Sequence, residues 1–486
     1  MIAERIHRLI ARWGYFIGAL LVLLLLLCSA VLAGSLGPRM VVAATMLALL
    51  SAASLFLIRF PRHLLLIALF LFLVPFGLRP EPISGLFSVA AFGMLAIAFL
   101  AWLVNRAGGE PAKPAGVTLF MLFLFMGWAA YTAIWAPDLV AARRKLVAYG
   151  IGIVLLFLVV QQTRTRDELV ALTRVLALSG WLLLVTGVGS IALSFQPGHR
   201  LHVANTNQNE LAMLLLAAMP GVLWEPALAQ GRSRTILAML CVVYVLGTIS
   251  VVGLSESRGG AVSLVATLLA FLAIRRTRAW GAIGVALLIS LAVAMPFIFE
   301  GIFNRLDEVY GGRTGGRDVL WQAGLTLFYN NLIAGVGIGN GPFELHDSLA
   351  SLTSDYKHRI DLPSHNPLIE VGVDTGLVGL VLYSAACGAA LVSFFASWRY
   401  WRGCDASLDL LCCFILASLV GFGASWIKSG GVDNHPNLFA FLMLLTVVGL
   451  RRRATAAHGS PPDEATQRDA VPHAPAGTYH IGSGTR

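Results

Sequence analysis

The chain has 486 residues, 57% of them hydrophobic and only 12% charged, with a mean hydropathy of +0.78. Soluble domains carry roughly a quarter charged residues, so a soluble globular fold is excluded and the chain reads as a polytopic helical membrane protein. The net charge of +10 is no nucleic-acid footprint, because Lys and Arg in such a chain collect in cytoplasmic loops. Membrane lipids are expected as partners and nucleic acid is not.

The opening "MIAERIHRLIARWGYFIGALLVLLLLLCSAVLAG" has the charged start and apolar run of a signal peptide, with Val31 and Ala33 as small cleavage-site residues. Its run of about 19 apolar residues is long for that purpose, and further spans follow at once, so an uncleaved first helix is expected. Spans are read near 15–33, 40–58, 63–78, 84–104, 115–135, 145–162, 168–195, 208–224, 235–253, 259–274, 279–299, 366–396, 407–428 and 436–450. No alternating, turn-punctuated segments suggest a β-barrel. The expected fold class is all-α, with about 12–14 transmembrane helices and one long outer loop. Residues 1–299 form an N-terminal transmembrane bundle in this reading, 300–365 the loop, and 366–450 the C-terminal transmembrane helices. Residues 451–486, polar and rich in Pro and Gly, are expected to be a disordered cytoplasmic tail.

With the N-terminus inside, cytoplasmic segments receive Arg59, Arg62, Arg166, Arg174, Arg275, Arg276, Arg278, Arg399 and Arg402, while the short outer loops keep few basic residues. The "ARRK" at 142–145 violates this pattern and marks either a different topology or a site for something anionic. The outer loop 300–365 holds a helix-like stretch, "GGRTGGRDVLWQAGLTLFYNN", then "GVGIGNGPF". It is too long to be a mere link. The glycines there can present N–H groups to a phosphate or form a structural turn.

The six cysteines have no metal-ligand spacing and no disulfide framework. No D-x-D, D-x-E or E-x-E occurs in an outer loop, and Glu256, Asp307, Glu308, Asp318, Glu370 and Asp374 are scattered. Neither a G-x-S-x-G elbow nor a phosphate-binding G-x-x-x-x-G-K-[ST] loop is present. No metal and no cofactor are expected.

In "SHNPLIEVGVDTGLVG" (364–379), Asn366 is a favoured N-cap and Pro367 suits the first helical position, so a helix is expected to begin there. His365 then stands just outside its positive end, where the dipole disfavours imidazolium and keeps the ring neutral, as a general base requires. Gly372, Gly376 and Gly379 fall on one helical face, where small residues let a neighbouring helix approach. His435, in "DNHPNLF", also precedes a proline at an outer helix start, and the residues alone do not separate the two histidines. Arg200, Arg258, Arg313 and Arg317 lie on the outer side against the positive-inside trend. Arginine's planar fork suits phosphate oxygens. Single interfacial arginines also snorkel to headgroups, but several together suggest an outer vestibule for a phosphorylated lipid.

These elements resemble the O-antigen ligase and polymerase superfamily of bacterial inner-membrane glycosyltransferases. The strongest match is His365-Asn366, nine residues, then Gly376-x-x-Gly379, similar to the H-[N/S/Q]-x9-G-x-x-[G/T/Y] pattern of the ligases. "GGRDVLWQAGLTLFYNNLIAGVGIGNGPFE", "SESRGG" and "ANTNQNELAM" resemble the family's long periplasmic loop, its S-R-G element and its asparagine-rich helix start. The resemblance implies a GT-C-like membrane fold with a site facing the periplasm. It implies a donor glycan on undecaprenyl pyrophosphate and an acceptor hydroxyl on lipid A-core or another glycan. It also implies His365 as base, with Arg258 and Arg317 holding the departing pyrophosphate. Arg313 and Arg200 join them by position and charge. Nothing in the sequence reads the acceptor, so an O-antigen or exopolysaccharide polymerase stays open beside a ligase. A lipid-sugar flippase or permease would explain the helices but leaves the outer loop and His365 without purpose.

Overall fold

In a computed structural model of the chain, the residues described are 65–70, 93–100, 102–103, 116–163, 165–194, 208–300, 302–303, 317–352, 366–426, 440–445 and 447–448. Regular structure among them is helical, with no strand. The helices are α1 (Val117–Thr132, extended by a 3-10 turn Ala133–Trp135), α2 (Leu139–Gln162), α3 (Arg166–Ser194), α4 (Gln208–Leu228), α5 (Gly231–Leu254) and α6 (Arg258–Ala273). They continue with α7 (Arg278–Ala294), α8 (Arg317–Asn330), α9 (Gly341–Leu352), α10 (Pro367–Cys404) and α11 (Ala406–Trp426). Seven of these, α1–α5, α10 and α11, are long and apolar enough to cross a membrane, and α6 and α7 are apolar but shorter. The chain is an all-α, multi-pass membrane protein. The spans expected near 15–33 and 40–58 and the tail 451–486 lie outside the described residues, as do parts of those near 63–78, 84–104 and 436–450.

The bundle is built around α4. Every residue from Leu211 to Trp224 is buried, as a helix apolar on all sides must be. It packs against α3, α5, α6 and α11, and small residues allow the approach: a Cβ on Gly221 would meet the Thr173 carbonyl oxygen at 2.5 Å. Pro226 cannot supply the N–H that the Val222 carbonyl would take in a regular helix. The Cys241 thiol of α5 donates to that oxygen instead, at 3.2 Å. One helix therefore repairs a hydrogen-bond vacancy in its neighbour, as a chain in lipid requires.

Three ion pairs sort to one end. Arg174 pairs with Glu225 at 2.9 Å, Arg276 with Asp409 at 2.5 Å and Arg166 with Asp405 at 3.7 Å. These contacts gather the start of α3, the end of α4, the α6–α7 turn and the α10–α11 turn at a single end of the bundle, the end expected to be cytoplasmic. The starts of α2, α4, α6 and α10 and the end of α11 therefore face the other way.

The structure differs from the sequence reading in two places that bear on that second end. The "ARRK" run is not in a loop: α2 begins at Leu139, because the Asp138 carboxylate caps it by accepting from Val140 N at 2.7 Å and Ala141 N at 3.1 Å. Arg143 and Arg144 are exposed on its outer face and Lys145 turns inward. Nor do the α10 glycines line one unbroken face. The helix is interrupted at Gly376, with φ 68° and ψ −168°, a conformation open essentially to glycine alone.

The interruption is repaired by exchange. In a regular helix Leu377 N would donate to Val373 O; here it donates to Leu332 O at 2.7 Å, and Val373 O accepts from Val336 N at 2.9 Å. Asp374 O takes Gly337 N at 3.1 Å, and Thr375 O takes the Trp128 indole N–H at 2.7 Å. The stretch 331–340 lies against the break as a glycine turn, with positive φ at Gly335, Gly337 and Gly339. A Cβ on Gly376 would overlap the Ile333 carbonyl. Gly376→Ala is therefore expected to cost at least about 2 kcal/mol. Gly388→Ala, in open space on the same helix, should change stability by less than about 1 kcal/mol. Thermal unfolding of both variants in detergent checks this; equal midpoints would refute it.

Candidate functional site

Two groups of residues occupy the end opposite the basic one. The first is built on the turn between α5 and α6. Ser255 caps the end of α5, Glu256 turns the chain with φ 52°, and Ser257 starts α6 by accepting from Gly260 N at 2.9 Å. A non-glycine residue in left-handed conformation costs of order 1 kcal/mol, and such strain gathers at functional sites. Arg258, half-buried, is the first residue of α6. The turn is braced from both sides: Ser257 Oγ donates to Asn209 Oδ1 of α4, and Ser425 Oγ of α11 donates to Gly259 O at 2.5 Å. Ser263 Oγ donates to Ser425 Oγ at 2.5 Å. Arg258 thus stands at a positive helix end whose position three helices fix.

The second group surrounds the start of α10. Asn366 is its N-cap, with Oδ1 accepting from Leu368 N at 3.0 Å and Ile369 N at 3.2 Å, and Pro367 follows in the first turn. Glu370 and Asp374, 6% and 0% exposed, point the same way one turn apart. Lys145 of α2 contacts Glu370 directly and lies 3.6 Å from Asp374. Asp374 also accepts from Gly339 N at 2.9 Å and Gly341 N at 2.8 Å. The glycine turn does present N–H groups to an anion, and that anion is this chain's own carboxylate. Asn340 ties the same turn to α2 by accepting from Asp138 N at 2.7 Å.

Between the groups stands Trp426, at the end of α11. It packs on the cluster of Met213, Phe422 and Ala440 and on the cluster that includes Val371 and Ile338. α8 runs parallel to the first turns of α10, with Gly324 against Ile369 and Phe328 beside Gly372. At a rise of about 1.5 Å per residue, the backbone of Arg317, where α8 begins, stands about 10 Å beyond the level of Ile369. A crevice between α8, α9 and α10 is lined by Gly324, Gly341, Pro342, Leu345, Glu370 and Val373.

Of the residues singled out in the sequence, Arg258 and Asn366 are fully described, and the backbone of Arg317 is. Gly376 is the helix break, and Gly379 sits under Thr375 and Trp128. His365, Arg200, Arg313 and the rival His435 lie outside the described residues; His365 immediately precedes the Asn366 cap. Among the described residues no three His, Cys, Asp or Glu side chains gather as a metal site. The Lys145–Glu370–Asp374 cluster was not foreseen. Its signals were present, a cation on the wrong side and two carboxylates four residues apart, but lay in segments far apart in the chain.

Residues 242–384 match a family model described as O-antigen ligase. The match takes in less than a third of the chain and supports a relation to the O-antigen ligase and polymerase superfamily. The O-antigen ligase match takes in the Arg258 turn, α8, the glycine turn, the start of α10 and the Gly376 break. No curated protein matches the chain. Among solved structures, a chain from "Structural coordination of polymerization and crosslinking by a peptidoglycan synthase complex" is similar over 69% of this chain and 97% of its own length. It is 19% identical with a TM-score of 0.37, too weak a likeness to carry an argument.

Asn366→Ala leaves two N–H groups of the matched region without their cap and should weaken the start of α10 by about 1 kcal/mol, whereas Asn366→Asp keeps the acceptor and should not. Amide exchange over 367–371 reads the difference; equal protection in both variants would contradict the capping role.

Proposed function

We propose that this protein is an O-antigen ligase-like glycosyltransferase, which moves a glycan from undecaprenyl pyrophosphate to a sugar hydroxyl of lipid A-core at the periplasmic face of the bacterial inner membrane. The observation that carries this reading is the family match over 242–384. It covers Arg258, Arg317 and His365 together, and the starts of α6 and α10 within it lie at the same end of the bundle.

Chemically, the acceptor hydroxyl gives its proton to His365 as its oxygen forms a bond to the anomeric carbon. The bond from that carbon to the pyrophosphate oxygen breaks with inversion, and the lipid pyrophosphate leaves with the electron pair. Arg258 and Arg317, with Arg313 and Arg200 as further contacts, meet the charge that develops on the leaving group. Each of the first two opens a helix, so the positive helix end adds to the guanidinium. Pyrophosphate is a good leaving group, so arginines suffice in place of a metal ion. The Asn366 cap supports the role of His365, because it fixes where the chain enters α10 one residue after the histidine, at an end whose dipole favours a neutral ring.

His365→Ala should abolish transfer without affecting expression or membrane insertion. A lipopolysaccharide gel of a complemented deletion strain should then show bare core, with long glycan retained on the lipid carrier. A wild-type ladder in the mutant would refute the base assignment; core carrying a single repeat would point to a polymerase.

Arg258→Ala and Arg317→Ala should each lower turnover at least about 100-fold, with lysine restoring little because it lacks the bidentate fork. Turnover should be unchanged by a chelator. Activity lost to the chelator and returned by a divalent ion would refute the metal-independent step.

A further inference from the structure

The reaction above makes no use of the charges buried behind the start of α10. Lys145 bridges two carboxylates, and the three side chains are 12%, 6% and 1% exposed for Lys145, Glu370 and Asp374. Such an assembly is a poor way to gain bulk stability, since apolar replacements of similar volume are often neutral or better. What it supplies is place. Its members come from α2, from the first turns of α10 and, through Asp374, from the glycine turn at Gly339 and Gly341. The break at Gly376 interrupts the ladder that would otherwise hold those first turns to the membrane-spanning remainder of α10. Their position is then set by what they touch sideways, and Lys145 is a charged contact that reaches them from another transmembrane helix.

We propose that Lys145 is a positioning residue for glycan transfer: by holding Glu370 and Asp374 it sets where the capped start of α10 stands relative to Arg258. The inference rests on the reading of His365 as the base, one residue before that cap. Misplacing a reacting group by about 1 Å costs about 100-fold in rate, whereas the lipid-linked donor, held by arginines elsewhere, should still bind.

The test uses the full-length protein in detergent or nanodiscs, with turnover of a lipid-linked glycan donor and amide exchange over 367–374 as separate readouts. Lys145→Met should lower kcat about 30- to 100-fold, leave KM for the donor within about threefold, and raise exchange over 367–374 at least about tenfold. Glu370→Gln should shift both readouts the same way by less. Lys145→Arg, which keeps a cation between Glu370 and Asp374, should recover at least about a tenth of wild-type kcat. A folded Lys145→Met protein with unchanged kcat and exchange overturns the proposal, as does a raised KM with intact kcat. Where Lys145→Met does not fold, Glu370→Gln with wild-type kcat and exchange overturns it equally. His365→Ala, run alongside, separates the two readings: full turnover there refutes the base, while the exchange readout still judges Lys145.

Discussion

A helix that stops and restarts within a membrane protein must find partners for every backbone group the interruption sets free, because lipid offers none. The break in α10 at Gly376 imposes that demand, and the surrounding structure answers it. The carbonyls of Val373, Asp374 and Thr375 are taken by Val336, Gly337 and Trp128, and the amide of Leu377 by Leu332. Leu332, Val336 and Gly337 can reach the break only because the chain from 331 to 340 lies flat against it, which in turn requires left-handed glycines and no side chain at Gly376. The outer elements α8 and α9 are thereby fastened to the membrane-spanning bundle through main-chain bonds, and the start of α10 is placed between them and α2.

Charge is distributed in two regimes. At the basic end, arginines meet carboxylates in partly exposed pairs such as Arg174–Glu225, contacts worth little individually but consistent in where they gather the helix ends. At the other end the ion pairing among the described residues lies deeper. Arg258 sits at a helix start braced by Asn209 and Ser425, and the Lys145 cluster is largely buried. The first regime orients a membrane protein, while the second fixes geometry.

Much of this was legible in the sequence. Composition and hydropathy gave the helical membrane class, and the starts of α4, α6 and α10 fall within a residue of where polar residues and Pro mark them. The Asn366-Pro367 pair was readable because capping is local chemistry. The interruption at Gly376 was not, because glycines at helical spacing look the same whether they admit a neighbouring helix or abandon helical conformation. Which one occurs depends on segments more than 30 residues away, such as Leu332 and Trp128. The start of α2 was misplaced for a related reason: three consecutive cations read as a loop until Asp138 is seen to cap the helix ahead of them and Glu370 and Asp374 to receive Lys145. The glycine turn was left open between phosphate cradle and structural turn, and its N–H groups meet Asp374.

The order of residues along α10 has a bearing on biogenesis. Every group named here as repairing the break, from Trp128 through Leu332, Val336 and Gly337, precedes Gly376 in the chain, as do Lys145 and the amides of Gly339 and Gly341. Chains are made from the N-terminus, and earlier segments can organise while later ones are still being added. The first turns of α10 therefore emerge from the ribosome after all of those partners have been synthesised, so the backbone groups freed at Gly376 can be met as soon as they are made.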